Sequence, residues 1–511
     1  MRRSIRSLLM LLVCGALATG CKVTTEDIDY WMGTVKGPGK IVAVLLADKY
    51  EDELRVHAGV ALVRMEPRDD VDGLSELQAA IRTLPPESQT RIVDGMVPDL
   101  LRIMRGEDTP RSGSEEAVPP LQIRAKDAAF LLVNYASQAQ RTTLTNAVVD
   151  WFVVDFNGRS LSGNYSAEQV VRQLGAPAAS RLVNAMNARL PQQALVKLAE
   201  LIATLGDDET KGRAAARMVE IEQEMEGAEF LTWLQERLRE QFRTQQPNTP
   251  INEARIAAAA ALNRENFINL GALPAMKHLN SQRVVADRLL AMGQASATEE
   301  PLLARRVKAL QALEGGVRPD QLTPLLDLAL AEATPIGVRD YAFDRISDAR
   351  DASVIPRLWP VFTDTQDWRM RWRVGALILT LGGPAVVTEF FTRLNDESYA
   401  QEELHNYGER LSQMRPPPTD LVNTKLTSAR WFDRCVALYF WEFRASSEAD
   451  LGRITALAQD AAATAGENWR RQDTVGKVAE AVANLVRERL NQAQRQAQQG
   501  QAPAGAPQGG G

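Results

Sequence analysis

The chain has little of what most enzyme chemistry needs. It contains 3 Cys and 3 His in 511 residues, too few for a disulfide framework or a zinc cluster. His57, His278 and His405 lie far apart and share no local ligand spacing, so each reads as a satisfied or solvent-facing helix residue and no metal is expected. Asp69-Asp70-Val71-Asp72-Gly73 lacks the alternating oxygens and closing Glu of a calcium loop. There is no G-x-S-x-G elbow, phosphate-cradling Gly loop or H-E-x-x-H helix. The expectation is a protein that is not an enzyme and needs no cofactor. Positive charge is also short: the formal net charge is −6, which does not suit non-specific binding to nucleic acid. Beyond the first residues, no run reaches the ~18 apolar residues of a membrane-spanning helix.

What is present begins with a leader. Arg2, Arg3 and Arg6 form a positive start and Leu8 to Val13 a short apolar stretch, followed by Leu17-Ala18-Thr19-Gly20-Cys21. These residues resemble the lipobox signal of bacterial lipoproteins, with Ala18 where that family more often has Leu. The resemblance implies that residues 1–20 are a signal peptide and that Cys21 is lipidated and becomes the first residue of the mature chain. Cys14 is the poorer match because bulky Val13 precedes it. Two or three acyl chains hold a protein stably where one does not, so the lipid supplies the membrane attachment. Lys22 stands where many bacteria place the Asp of inner-membrane retention, which points to the outer membrane and the periplasm. Loss of the three leader arginines takes the formal charge from −6 to −9. Cys435 is then the remaining thiol, so stability rests on packing.

The body of the chain is organised around Leu54–Met65. Leu54, Ala58, Ala61, Leu62 and Met65 fall on one helical face with small residues at its centre, which lets another helix approach closely. The pattern returns at Ile123-Arg124 with Ala128 and Leu131, and at Val338-Arg339 with Ala342 and Ile346. It returns again at Met370-Arg371 with Val374, Gly375 and Ile378, and more loosely at Arg434 with Ala437. These recurring Arg-led stripes, each on the second helix of a pair, resemble HEAT repeats. The resemblance implies an all-α fold, a right-handed α-solenoid of HEAT-like helix pairs in the armadillo-like class.

The order along the chain is a lipidated tether at 21–32, helical repeats at 33–243, a linker at 244–252 around Pro247 and Pro250, and further repeats at 253–490. The Gln-, Ala- and Gly-rich segment 491–511 is expected to be disordered, for want of apolar groups to offset ordering. Gly106–Pro120 reads as a polar loop.

One segment stands apart. Five of the 9 Trp lie between positions 359 and 441, and Trp368-Arg369-Met370-Arg371-Trp372-Arg373 alternates aromatic and basic residues. Rings filling gaps between helices would account for most of these. Yet with Met370, Val374 and Ile378 toward the core, Trp368, Arg369, Trp372 and Arg373 lie off that stripe, and Trp beside Arg is the usual make-up of a binding hot spot. The expected function is a membrane-anchored scaffold that binds a protein partner in the cell envelope, with a cell-surface role in adhesion, motility or envelope traffic as the alternative.

Overall fold

A computed structural model of the chain describes residues 22–67, 71–107, 120–156, 167–247, 249–394, 399–464 and 472–500. The lipidation candidate Cys21, the leader, Asp69 and Asp70, and most of the Gly106–Pro120 loop lie outside the described residues. The fold is all-α, with no strand among the described residues; an isolated bridge joins Ala463 to Thr474. Contacts divide the chain into two compact units, Met1–Arg288 and Leu289–Gly511. The break at Gln246–Pro250 is present between the Ala228–Gln245 and Glu253–Phe267 helices, and it lies within the first unit.

In the first unit the Asp52–Arg64 helix packs against Gly37–Leu46, Pro86–Met104 and Pro120–Leu132. Ala58 and Leu62 are fully buried and Ala61 nearly so, with Leu54 half-buried at the edge. Gly59 lies so close to Pro86–Met104 that a Cβ there would stand 2.7 Å from the Met96 sulfur. The stripe is therefore buried, and the close approach falls on Gly59 beside it.

The second unit has a simple rule. Leu302–Ala312 packs on Ile336–Ala349, which packs on Trp368–Gly382, then Gln401–Gln413, Trp431–Arg444 and Val475–Gly500 in turn. Between them, Leu322–Leu330, Ile355–Asp364 and Glu448–Thr455 each pack on the helix that follows. Contacts thus run to the next element and the next but one, as in proteins built of stacked units.

The arginine of the recurring stripe has a structural job that its spacing alone does not disclose. Arg55 Nε donates to the Leu45 carbonyl at 3.0 Å, Arg124 Nε to Val63 at 3.0 Å and Arg339 Nε to Ala329 at 3.3 Å. In each case the acceptor sits in the last turn of an earlier helix, the one just before for Arg55 and Arg339 and the Asp52–Arg64 helix for Arg124, where carbonyls have no intrahelical partner and the helix dipole is negative. Arg306 does the same to Gly293 at 3.1 Å, and Arg430 reaches Leu394 and Phe391 at 2.6 and 2.7 Å. Each such arginine fastens one helix to the C-terminus of an earlier one.

Three segments show where helices start, join and stop. The supposed tether contains a helix, Thr25–Met32, started by a reciprocal capping box between Thr24 and Asp27 and fixed by buried Ile28. Glu253–Phe267 and Leu273–Leu279 join through a π-helical turn at Ile268–Ala272. There Gly271 lies 3.3 Å, measured to an added Cβ, from the Gln192 backbone. Third, the final helix runs through Val475–Gly500 rather than ending near 490. Its last residues are rich in Ala, Gln and Arg, which favour helix on intrinsic propensity even when exposed.

The run Trp368–Arg393 reaches a mean hydropathy of 1.7. It is two helices, broken where Gly383 takes a φ of 55°, and Ile378, Leu379, Phe390 and Phe391 are packed inside the unit.

Candidate partner-binding site

The Trp368–Gly382 helix starts on Asp367, whose carboxylate accepts from the Arg369 amide at 3.0 Å. Its inward face is set by Met370, Val374 and Ile378, all buried. A second inward residue, Arg371, is 3% exposed and makes two parallel hydrogen bonds to Glu403, at 2.8 and 2.9 Å. Tyr407 donates to the same carboxylate at 2.7 Å, and the Tyr399 ring lies 4.4 Å from the guanidinium. Burial opposes the charge on Arg371, but the Glu403 hydrogen bonds and charge outweigh it and hold its pKa above the ordinary value. Burial, then the Glu403 charge, pushes the Tyr407 hydroxyl well above its usual pKa.

Gly375 makes room for this group. A Cβ there would meet the Tyr407 ring at 2.6 Å and Phe362 at 2.8 Å. The network fixes the rotation of the helix about its axis and so decides what its other face displays.

That other face carries the four residues singled out in the sequence. Trp368 and Trp372 are half-buried and stack at 6.5 Å with an interplanar angle of 18°. The Arg369 guanidinium lies 5.4 Å from the Trp368 ring, and that of Arg373 lies 5.9 Å from Trp372. Such cation–π contacts contribute about 0.5–1 kcal/mol each at exposed sites. The result is a stacked ladder of two rings and two guanidiniums.

The two arginines differ. Arg373 is held by Asp340 of the neighbouring Ile336–Ala349 helix at 2.8 Å, with Asp344 at 3.9 Å. Burial raises the Asp344 pKa, and the nearby Arg373 charge opposes that rise. Arg369 is exposed and has no carboxylate partner among the described residues. The site therefore offers one free guanidinium, a flat aromatic surface and an acidic flank of Asp340 and Asp344.

The other tryptophans of the cluster behave differently. Trp359 and Trp441 are 6% and 4% exposed and fill the core, while Trp431 sits at the edge against Phe432. The gap-filling role expected for the cluster thus holds for Trp359 and Trp441. In the first unit Trp233, packed on Phe230 and Phe267, has Arg189 and Arg237 at 5.7 and 5.5 Å from its ring. Sequence spacing does not disclose this grouping, because Arg189 is 44 residues before Trp233.

Two of the three histidines have an acidic side chain beside them. His57 pairs with Asp29 at 2.8 Å, and His405 lies 3.4 Å from Glu442 between Tyr439 and Phe443. Burial lowers the His278 pKa. Cys435 is fully buried, and burial pushes its thiol up to about 12, a setting that leaves it inert. Compared with known proteins, the chain matches no family model and no curated relative.

Proposed function

We propose that the protein is a lipid-anchored scaffold of the bacterial envelope in which each unit is a right-handed solenoid of HEAT-like helix pairs. The second unit holds a protein partner on the Trp368–Arg373 ladder. The observation that carries this reading is the ladder itself, two half-exposed stacked tryptophans beside an Arg369 with no carboxylate partner among the described residues. Leaving such a surface in water brings the fold little beyond its cation–π contacts, whereas truncation of Trp and Arg at an interface centre costs at least ~2 kcal/mol of binding. The solenoid is supported by the step-to-step packing of the second unit and by arginines that tie successive helices together. The anchor is supported by the Leu17–Cys21 signal, and the Lys22 that follows favours an outer-membrane protein facing the periplasm.

A photo-crosslinking residue in place of Gln366, exposed just ahead of the ladder, tests the partner. In cells it should capture one discrete protein, and the same residue at Thr380, exposed farther along the helix, should not. Equal capture at both positions, or none at Gln366, counts against the reading. The anchor is tested separately: Cys21→Ala should abolish metabolic labelling with fatty acid, and Cys14→Ala should leave it unchanged.

A further inference from the structure

We infer that the turn following the first helix, tipped by Tyr30 and Val35, is a membrane-contact surface that seats on the lipid bilayer beside the anchor. This rests on the lipoprotein reading of Cys21.

Among the large apolar side chains, Tyr30 is 74% and Val35 99% exposed, and they stand five residues apart, Tyr30 near the end of the Thr25–Met32 helix and Val35 in the turn that follows. That turn is closed by hydrogen bonds. Thr34 N donates to Trp31 O at 2.9 Å, Gly37 N to Thr34 O at 3.1 Å, and the Thr34 hydroxyl to Trp31 O at 3.1 Å. Gly37 is packed so tightly that an added Cβ would lie 1.7 Å from the Trp31 carbonyl oxygen. On the inner side, Ile28 is fully buried and Asp29 is tied to His57 at 2.8 Å. The fold thus pins an apolar tip outward instead of letting it collapse onto the core.

The surroundings match an interfacial setting. Trp31 lies between tip and core with the Lys40 ammonium 5.0 Å from its ring, and Lys36 is exposed next to Val35. Aromatic rings and lysines that extend apolar stems are the usual residues at headgroup depth. Lys22, Lys36 and Lys40 are matched by Glu26, Asp27 and Asp29, so charge gives no net pull toward anionic lipid and insertion of the apolar tip must provide the contact.

Reach agrees. Four residues from Cys21 to Thr25 span at most about 14 Å when extended, and the eight-residue helix Thr25–Met32 adds about 12 Å. A bilayer holding the Cys21 acyl chains therefore lies within range of Tyr30 and Val35.

The test separates this surface from the biology of the anchor. The mature chain, beginning at Cys21, is coupled through that thiol to a maleimide lipid in phosphatidylcholine vesicles; the buried Cys435 thiol, with its pKa near 12, is spared. A second lipid carries a diazirine on its acyl chain, and adducts are mapped by mass spectrometry after irradiation. Adducts should fall between Tyr30 and Lys36, and Tyr30→Ser/Val35→Ser should lower them about tenfold without loss of helix content. Absence of adducts there, or undiminished adducts in the double variant, overturns the inference while leaving lipidation intact. If Cys21→Ala keeps its fatty-acid label in cells, the anchor reading falls and takes this inference with it.

Discussion

Arg371 and Glu403 meet in two parallel hydrogen bonds of 2.8 and 2.9 Å, with Glu403 wholly shielded from water. Two charges so buried contribute little net stability as a pair, yet removal of one leaves the other uncompensated at a cost of ~3–5 kcal/mol. Arg371→Met should therefore lower the urea midpoint sharply, and adding Glu403→Leu should restore much of the loss. A double variant as unstable as the single one would mean the network has a role beyond mutual neutralisation.

Tyr407 gives this network a pH signature. Its folded pKa stands well above 10.0, chiefly through burial, whereas the unfolded chain ionises near ~10. A raised folded pKa supplies stability that is fully present below the unfolded value and is lost as pH rises beyond it. The parent should lose melting temperature above about pH 10 more steeply than Tyr407→Phe does. Parallel curves for the two would contradict the assignment.

The arginines that cap helix ends make a separate prediction. Arg339→Met leaves the Ala329 carbonyl without its charged donor, at a cost of ~1.5–3 kcal/mol, and Arg339→Lys should recover only part because it cannot fork. Hydrogen exchange should quicken first at the end of Leu322–Leu330. Unchanged protection there would show that the contact carries no weight.

Close helix approach is testable at Gly408. A Cβ at this position would stand 2.6 Å from Tyr439 Cβ and 2.7 Å from the Phe440 amide nitrogen, and backbone cannot swing aside. Gly408→Ala should cost ~1–3 kcal/mol by overpacking. At about 2–4 °C per kcal/mol for a unit of this size, calorimetry would register it.

How much of this could be read from sequence depended on range. The buried stripe of Met370, Val374 and Ile378 and the face of Ala58 and Leu62 were legible, because helical periodicity is local and the small residues mark where a neighbour comes close. The regular placing of arginine was legible as a pattern but not as a mechanism, since its acceptors lie on an earlier helix. Arg371 shared the pattern yet found a carboxylate instead, and Arg434 holds both the Asp460 carboxylate at 2.7 Å and the Ser428 and Ala429 carbonyls. Nothing near Arg371 announces Glu403, 32 residues on. The Thr25–Met32 helix was hidden by its shortness, although Thr24 and Asp27 form a capping box visible in hindsight. The extension of the last helix to Gly500 is not legible from apolar periodicity, because its final residues rest on the helix propensity of Ala, Gln and Arg alone.

Trp372 and Arg369 serve either a partner or the fold. The measurement that decides is the crosslinking yield of Trp372→Ala/Arg369→Ala in cells, taken beside its melting temperature. Loss of a hot spot worth at least ~2 kcal/mol lowers affinity more than tenfold, so crosslinks should disappear while the melting temperature falls by no more than the about 1–2 kcal/mol of the two lost cation–π contacts, a few degrees. A variant that melts many degrees lower, or one that keeps its crosslinks, would contradict the claim that this ladder exists to hold a partner.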